Sequence, residues 1–344
     1  MKIRLIALTA VLALGVPAWA QSGGSGGVNV VPQPRDSAPK TDNRIDLRPK
    51  FEKGQEIKFK LEVNSTSEQP AVDIDVLDDP DAKPKPTTNR PGTNPPSKTS
   101  SRTPKDKLEI SKSKVEFGIV MKVKDVDAAR NSTVDMTFTT VKVSIDGPGG
   151  KEEFDSTRPR KPKADEIDII GTVLAPLVGS TFTMKVDSAG NISSVTGGDG
   201  FAMLGQVVPG AGGAGSLPQV FGPIFTIKKG DGFASVGQSW EDVDTLDSGL
   251  MGQFKMTSRH TLSSAAGGTA KLDLKGKIEA RSQAPGSSTF LMKDSTYSGK
   301  YTWDYALGML RQMDTKMSIK VEHSLQGQPV EVTSESVTKL TRVN

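Results

Sequence analysis

Apolar and polar residues alternate with a period of two over much of the chain beyond residue 50. In Tyr297-Ser-Gly-Lys-Tyr301-Thr-Trp303-Asp-Tyr305-Ala-Leu307, one parity holds Tyr297, Tyr301, Trp303, Tyr305 and Leu307, and the other holds Ser298, Lys300, Thr302, Asp304 and Ala306. Strand side chains alternate faces, so the pattern predicts a strand with one aromatic and one polar face, which anchors the core. Ile57, Phe59, Leu61 and Val63 alternate with Lys58, Lys60 and Glu62, and Val115, Phe117, Ile119, Met121 and Val123 share one parity. Val134, Met136 and Phe138 give way to Val141, Val143 and Ile145, and this change of parity predicts a bulge at Thr139-Thr140.

Residues 181–186 and 192–195 flank Asp187-Ser-Ala-Gly-Asn191, which reads as a hairpin. Further strands are predicted over 239–247, 252–263, 269–282, 288–307, 313–325 and 329–343, with turns short enough to make neighbours antiparallel. Two regions depart from the period of two. Ile167, Ile170, Leu174 and Leu177 follow helical spacing, with Asp165 and Glu166 at the start and Gly179 as the stop. The glycine-rich stretch 197–233 predicts two short helices separated by Gly210–Gly215, with Asp199 and Ser216 as caps. Val236-Gly-Gln-Ser-Trp240 echoes Lys53-Gly-Gln-Glu-Ile57, as a distant internal duplication would. The expected fold is mainly β (α+β): a large curved antiparallel sheet or open β-barrel, with a few short helices packed on or over one face.

Composition divides the chain. Lys2 and Arg4, the apolar run Leu5 to Val16 and Ala18-Trp19-Ala20 give residues 1–20 the form of a signal peptide. That run is too short to span a bilayer, which takes roughly 20 residues. The protein is therefore expected to be exported, periplasmic or extracellular, after cleavage near Ala20, and not membrane-spanning. Residues 21–48, rich in Gly, Ser and Pro, read as a flexible linker. Residues 49–344 are expected to form a single β-rich domain with a disordered Pro-rich insertion at 69–106.

There is no cysteine among the 344 residues, so disulfides contribute nothing and the core alone must hold the fold. The formal charge is +4. Removal of Lys2 and Arg4 leaves 42 basic against 40 acidic residues, which gives no reason to expect nucleic acid as a partner. Gly210-Ala-Gly212-Gly-Ala-Gly215 matches a dinucleotide-binding pattern in letters, but Val207-Val208-Pro209 is not the strand that pattern needs. The acidic run Asp73–Asp81 lacks the glycine and distal glutamate of a calcium loop. His260 and His323 form no spaced metal-ligand set and read as partly exposed strand residues. No thiol and no nucleophile elbow is present, and the acid pairs Glu152-Glu153 and Glu241-Asp242 point to opposite faces of a strand. Arg158–Lys163 reads as a solubilising loop. No catalytic residue, cofactor or metal is expected, and the protein is read as a non-enzyme.

Phe51-x-Lys53-Gly54-Gln55, Leu177-Val-Gly179-x-x-Phe182-x-Met184-x-Val186-Asp187-x-x-Gly190 and Val236-Gly237-x-Ser239-Trp240 occur in this order. On these residues the chain resembles an uncharacterised family of exported bacterial β-rich proteins, a resemblance that brings no activity. In architecture it is similar to the periplasmic lipoprotein carriers, which implies a curved sheet partly closed by helices over an apolar hollow. The expected function is a non-enzymatic binding module of the cell envelope for an apolar or amphipathic ligand, such as a lipid. The alternative is a structural or protein-interaction protein with no small-molecule ligand. The residues expected to face an apolar ligand are Phe201, Leu204, Phe221, Phe225, Tyr301, Trp303 and Tyr305.

Overall fold

A computed structural model of the protein describes residues 44–70, 108–158, 169–197, 217–227, 231–247, 253–282, 290–325 and 328–343. The signal segment, most of the linker and of the Pro-rich insertion, the loop beyond Arg158, Phe201, Leu204, the first of the two predicted glycine-flanked helices and Gly210–Gly215 all lie outside the described residues.

The first half of the chain contributes β1 (Ile45–Asp46), β2 (Glu56–Pro70), β3 (Leu108–Val126), β4 (Ser132–Gly147), β5 (Gly150–Asp155), β6 (Thr181–Val186) and β7 (Ile192–Gly197). The second contributes β8 (Phe233–Ala234), β9 (Ser239–Asp247), β10 (Gln253–Ala266), β11 (Thr269–Ser282) and β12 (Phe290–Met292). It ends with β13 (Ser295–Asp304), β14 (Met309–Leu325) and β15 (Gln328–Val343). Helix α1 (Ile169–Leu174) continues into a 3₁₀ turn at Ala175–Leu177, and α2 spans Leu217–Phe225.

Thirteen strands form one sheet with the path β7-β6-β4-β3-β2-β15-β14-β13-β11-β10-β9, β5 pairing β4 and β12 pairing β14. The path does not close on itself, so the sheet is open and β7 and β9 are its ends. Every pairing is antiparallel. The middle is the pair β2 and β15, with Leu61 opposite Leu340. Directly opposed residues share a face, so Leu61, Leu340, Phe117, Met313, Tyr301 and Leu272 lie on one side, and all six are buried. We call this the inner face. Lys60, Glu62 and Glu116 lie on the outer face, where Lys60 Nζ bridges both carboxylates at 2.9 and 3.1 Å.

The predicted bulge at Thr139-Thr140 is present, since Phe138 and Thr140 oppose the consecutive residues Ile119 and Gly118. The echoed motifs adopt one conformation. Gly54 has φ +84° and Gly237 φ +86°, a left-handed backbone that glycine adopts without strain. The Gly54 N–H donates to Val123 O and Gly237 N–H to Leu262 O; Val123 N–H donates back to Gln55 O and Leu262 N–H to Gln238 O. The same turn thus introduces β2 and β9, each against its own next strand, which strengthens the duplication read from the sequence.

Two expectations need correction. The predicted strand 288–307 breaks after Met292, β12 pairs β14, and β13 ends at Asp304. Asp304 Oδ1 accepts the Leu307 N–H at 3.0 Å, a local bond that turns the chain, so Tyr305 and Leu307 lie in a turn. His260 is fully buried, because its parity on β10 places it on the inner face beside Leu262. The predicted helix is present over Ile169–Leu174, its expected start at Asp165 lies outside the described residues, and Pro176 tightens its end into the 3₁₀ turn.

Gly276 of β11 lies opposite Tyr297 of β13, and a Cβ there would collide with the Tyr297 ring. Gly276→Ala is expected to destabilise the fold by about 1–3 kcal/mol, the usual cost of overpacking, read as a lower denaturant midpoint with an unchanged slope.

Candidate functional site

The inner face is the only broad feature on which the sequence-predicted site residues converge among the described residues, and its two ends differ. At the end where β2 starts and β15 finishes, Phe138, Phe182 and Phe221 pack with ring centroids 5.4–6.2 Å apart. Phe51 meets Phe225 edge-on at 5.8 Å. Leu217, Phe221, Ile224 and Phe225 of α2 are all buried, so this helix plugs the end. The segment from Ile45 to Phe51 adds to the plug. Leu47 N–H donates to Gly232 O, Lys50 Nζ donates to Tyr305 O at 2.7 Å, and Arg48 lies 4.5 Å over the Phe233 ring. Asp304 and Arg342 pair here at 2.8 Å, and Arg48 and Lys50 flank Asp46. Asp304 is pulled opposite ways by burial, which raises its pKa, and by the Arg342 guanidinium and the Leu307 N–H, which lower it; the net shift is downward.

The predicted site residues are core residues first. Phe221, Phe225, Tyr301 and Trp303 are at most 1% exposed, and Tyr305 is half-buried in its turn, its Oη accepting the Gly268 N–H at 3.0 Å. Tyr301 and Trp303 face the same interior as α2, with Trp303 opposite Leu310 and Ala270. Their apolar bodies are packed, but Tyr301 Oη and Trp303 Nε1 have no protein hydrogen-bond partner among the described residues. Burial, and to a lesser degree Tyr297, hold the Tyr301 phenol well above the usual tyrosine range.

The sequence reading missed the other end. Beyond Val63 the inward parity of β2 continues as Ser65 and Ser67; that of β3, before Val115, is Ser111 and Ser113; that of β15, before Leu340, is Ser334, Ser336 and Thr338. Register gathers them. Ser113, Ser65 and Ser336 form one row across three strands, and Ser111, Ser67 and Ser334 the next. Thr338 lies opposite Thr315 of β14, directly beside these rows. Ser67, Ser334, Ser336, Thr315 and Thr338 are buried, and the hydroxyls of Ser67, Ser336, Thr315 and Thr338 find no protein partner among the described residues. The signal was present in Asn64-Ser-Thr-Ser67, Ser111-Lys-Ser113 and Ser334-Glu-Ser-Val-Thr338 once the apolar parity was carried on.

A second polar group lies near the β9 end of the sheet. His260 stacks on Trp240 with centroids 5.6 Å apart and an interplanar angle of 5°, and its Nε2 is 3.5 Å from Asp242 Oδ2. The Ser258 hydroxyl donates to the Asp242 carbonyl oxygen at 3.3 Å, not to the imidazole. All three side chains are buried, so the serine is not presented as a nucleophile. Among the described residues no group of three His, Asp or Glu is placed to hold a metal ion. No helix among them is long and apolar enough to cross a membrane.

Residues 129–207, less than half of the chain, match a family described as a family of unknown function (DUF6263). That match spans the middle motif, Leu177 to Gly190, of the uncharacterised family the sequence resembles. No curated protein matches the chain. Among solved structures, one described as lipid–protein interactions in lipovitellin is similar over 86% of this chain at 13% identity, with a TM-score of 0.45. This chain covers 26% of that lipovitellin chain. The structure of DynF from the dynemicin biosynthesis pathway of Micromonospora chersina is similar over 97% of this chain and 95% of its own, at 7% identity and a TM-score of 0.22.

The Tyr301 phenol makes the fold sensitive to alkali. Its folded pKa is raised, so its contribution is complete below the ordinary tyrosine value and is lost as pH rises from about 10 toward the folded value. Tyr301→Phe is expected to shift alkaline unfolding, followed by circular dichroism, to higher pH. It should leave neutral-pH stability unchanged or raised, by up to about 1–3 kcal/mol, since the lost hydroxyl has no protein partner among the described residues.

Proposed function

We propose that this protein is an exported, non-enzymatic binding module of the cell envelope that holds an amphipathic ligand against the inner face of its open sheet. One observation carries the reading: the buried polar atoms of that face that no described protein group satisfies, namely Tyr301 Oη, Trp303 Nε1 and the hydroxyls of Thr315, Thr338, Ser336 and Ser67. A buried hydroxyl without a partner costs about 1–3 kcal/mol, and native interiors satisfy nearly all such groups. A purely structural core has no use for six of them on one face. A ligand with an apolar body and polar groups meets both the aromatic wall and these atoms. The signal-like composition of residues 1–20 supports the export part of this reading.

A second reading, a structural or interaction protein of the envelope, is favoured by a different fact. Phe221, Phe225, Tyr301 and Trp303 are almost wholly excluded from solvent and their neighbours are packed ring against ring. Under the first reading a ligand enters by displacing α2 or parting the open sheet, so uptake is slow and the empty protein is closed. Under the second nothing enters.

The test is native mass spectrometry of the full chain isolated from its own envelope, followed by solvent extraction and remeasurement. The expected result is a 1:1 adduct of lipid-like mass that extraction removes, with a change in tryptophan fluorescence on its loss. A protein that flies at the polypeptide mass, and takes up no dodecyl-chain probe after extraction, overturns the binding reading and favours the structural one.

A further inference from the structure

We infer that the serine- and threonine-lined end of the inner face is a headgroup site for an uncharged, hydroxyl- or amide-rich head, with the ligand's tail directed toward α2. This rests on the binding reading above and adds an orientation and a head chemistry to it.

The orientation comes from the polarity of the face. The α2 end is apolar and already plugged by Phe221, Phe225, Leu47 and Phe51, and its ion pairs are matched among themselves. The opposite end of β3, β2, β15 and β14 offers Ser111, Ser113, Ser65, Ser67, Ser334, Ser336, Thr338 and Thr315 on adjacent strands. With strands about 4.8 Å apart and same-face residues about 7 Å apart along a strand, these groups tile a patch about 14 Å wide. Each hydroxyl both donates and accepts, so the patch suits a head that does the same.

The head is uncharged because nothing on the patch balances a charge. Among the described residues of β2, β3 and β15, no Lys or Arg lies on the inner face at the two serine rows. The next inward position of β3 beyond Ser111 is Glu109, beside Gln69, and Glu152 of β5 lies opposite Ile145 in line with Ser113. Carboxylates at the margin repel a phosphate or carboxylate head. Arg342, the cation on the same face, lies toward the α2 end and is paired with Asp304 at 2.8 Å. The same margin carboxylates would attract a cationic head, but Glu152 is exposed and Glu109 only half-buried. The buried hydroxyls between them and the tail supply no counter-charge where the head would be desolvated.

Three dodecyl probes below their micelle concentrations test the assignment on the full chain after extraction: dodecyl maltoside, dodecanoate and dodecyltrimethylammonium. Titration calorimetry should show the maltoside binding 1:1, at least tenfold tighter than either charged probe. The combined variant Ser67→Ala, Ser336→Ala, Thr338→Val should lose at least tenfold in maltoside affinity while its melting temperature stays the same or rises, since these hydroxyls bond no described protein group. Glu109→Lys, at a half-buried margin, should raise dodecanoate affinity severalfold without altering the fold. Equal or tighter binding of a charged probe overturns the head assignment but leaves the binding reading standing. Unchanged maltoside affinity in the triple variant does the same and assigns the hydroxyls to buried water alone. Failure of all three probes to bind overturns both.

Discussion

The pairing of β2 with β15 is the constraint on which the rest of the sheet depends. It brings the first long strand and the last into register, Leu61 opposite Leu340, and it joins the two halves of the chain in the middle of the sheet. Such a contact closes nearly the whole chain as a loop, so its entropic cost must be offset by what it buries. No cysteine helps. The offset comes from Phe59, Leu61 and Val63, which meet Phe117 and Ile119 on one side and Leu340 on the other, all inside. Beyond Val63 the same register carries serines inward, so a strand slip that re-buried apolar groups would also break the apolar half. The register that holds the fold therefore fixes which positions of these rows point inward, but not that serine and threonine occupy them.

The two halves use one device to start. Gln55 and Gln238 follow glycines of the same positive φ and hold the same two-bond bridge to the next strand. Their side chains reach back alike, Gln55 Oε1 accepting the Glu52 N–H and Gln238 Oε1 the Ser235 N–H. From this common start the halves diverge in what covers the outer edge of the first strand. β2 finds β15 there, whereas β9 ends the sheet path. A sheet assembled from two such halves is left open by construction, with α2 and the segment before Phe51 filling one end.

Much of this was legible in the alternation of residues. Strands β2, β3, β4, β9 and β11 lie where parity placed them, and the bulge at Thr139 was visible as a change of parity. The end of β13 was not, because Tyr305 and Leu307 keep the strand's parity while Asp304 turns the chain through a local hydrogen bond. The burial of His260 escaped for a related reason: histidine carries no hydropathy signal strong enough to declare a face, and only its neighbours Ser258 and Leu262 settle it. The inner face was legible only in its aromatic half. Aromatic side chains announce an inner face, and Tyr301 and Trp303 are on it, but rows of serine resemble solvent-facing sequence until register shows which side they share.

The two polar groups on the inner face differ in what the fold explains of them, and the contrast supports the proposed site. A strand at the end of a sheet is a template for unwanted pairing, and an inward-pointing charge is one way such edges are guarded. Asp242 on β9 is such a charge, buried on the inner face and given a partner in His260, itself stacked on Trp240. That cluster is explained by its position. Ser67, Ser336, Thr338 and Thr315 lie on β2, β15 and β14, in the middle of the sheet, where both strand edges are already paired and no guard is needed. Replacing them by alanine and valine of like shape would leave the register intact and remove a desolvation cost. Buried hydroxyls that the fold does not need, in the strands it needs most, are the strongest sign that this part of the face serves something other than folding.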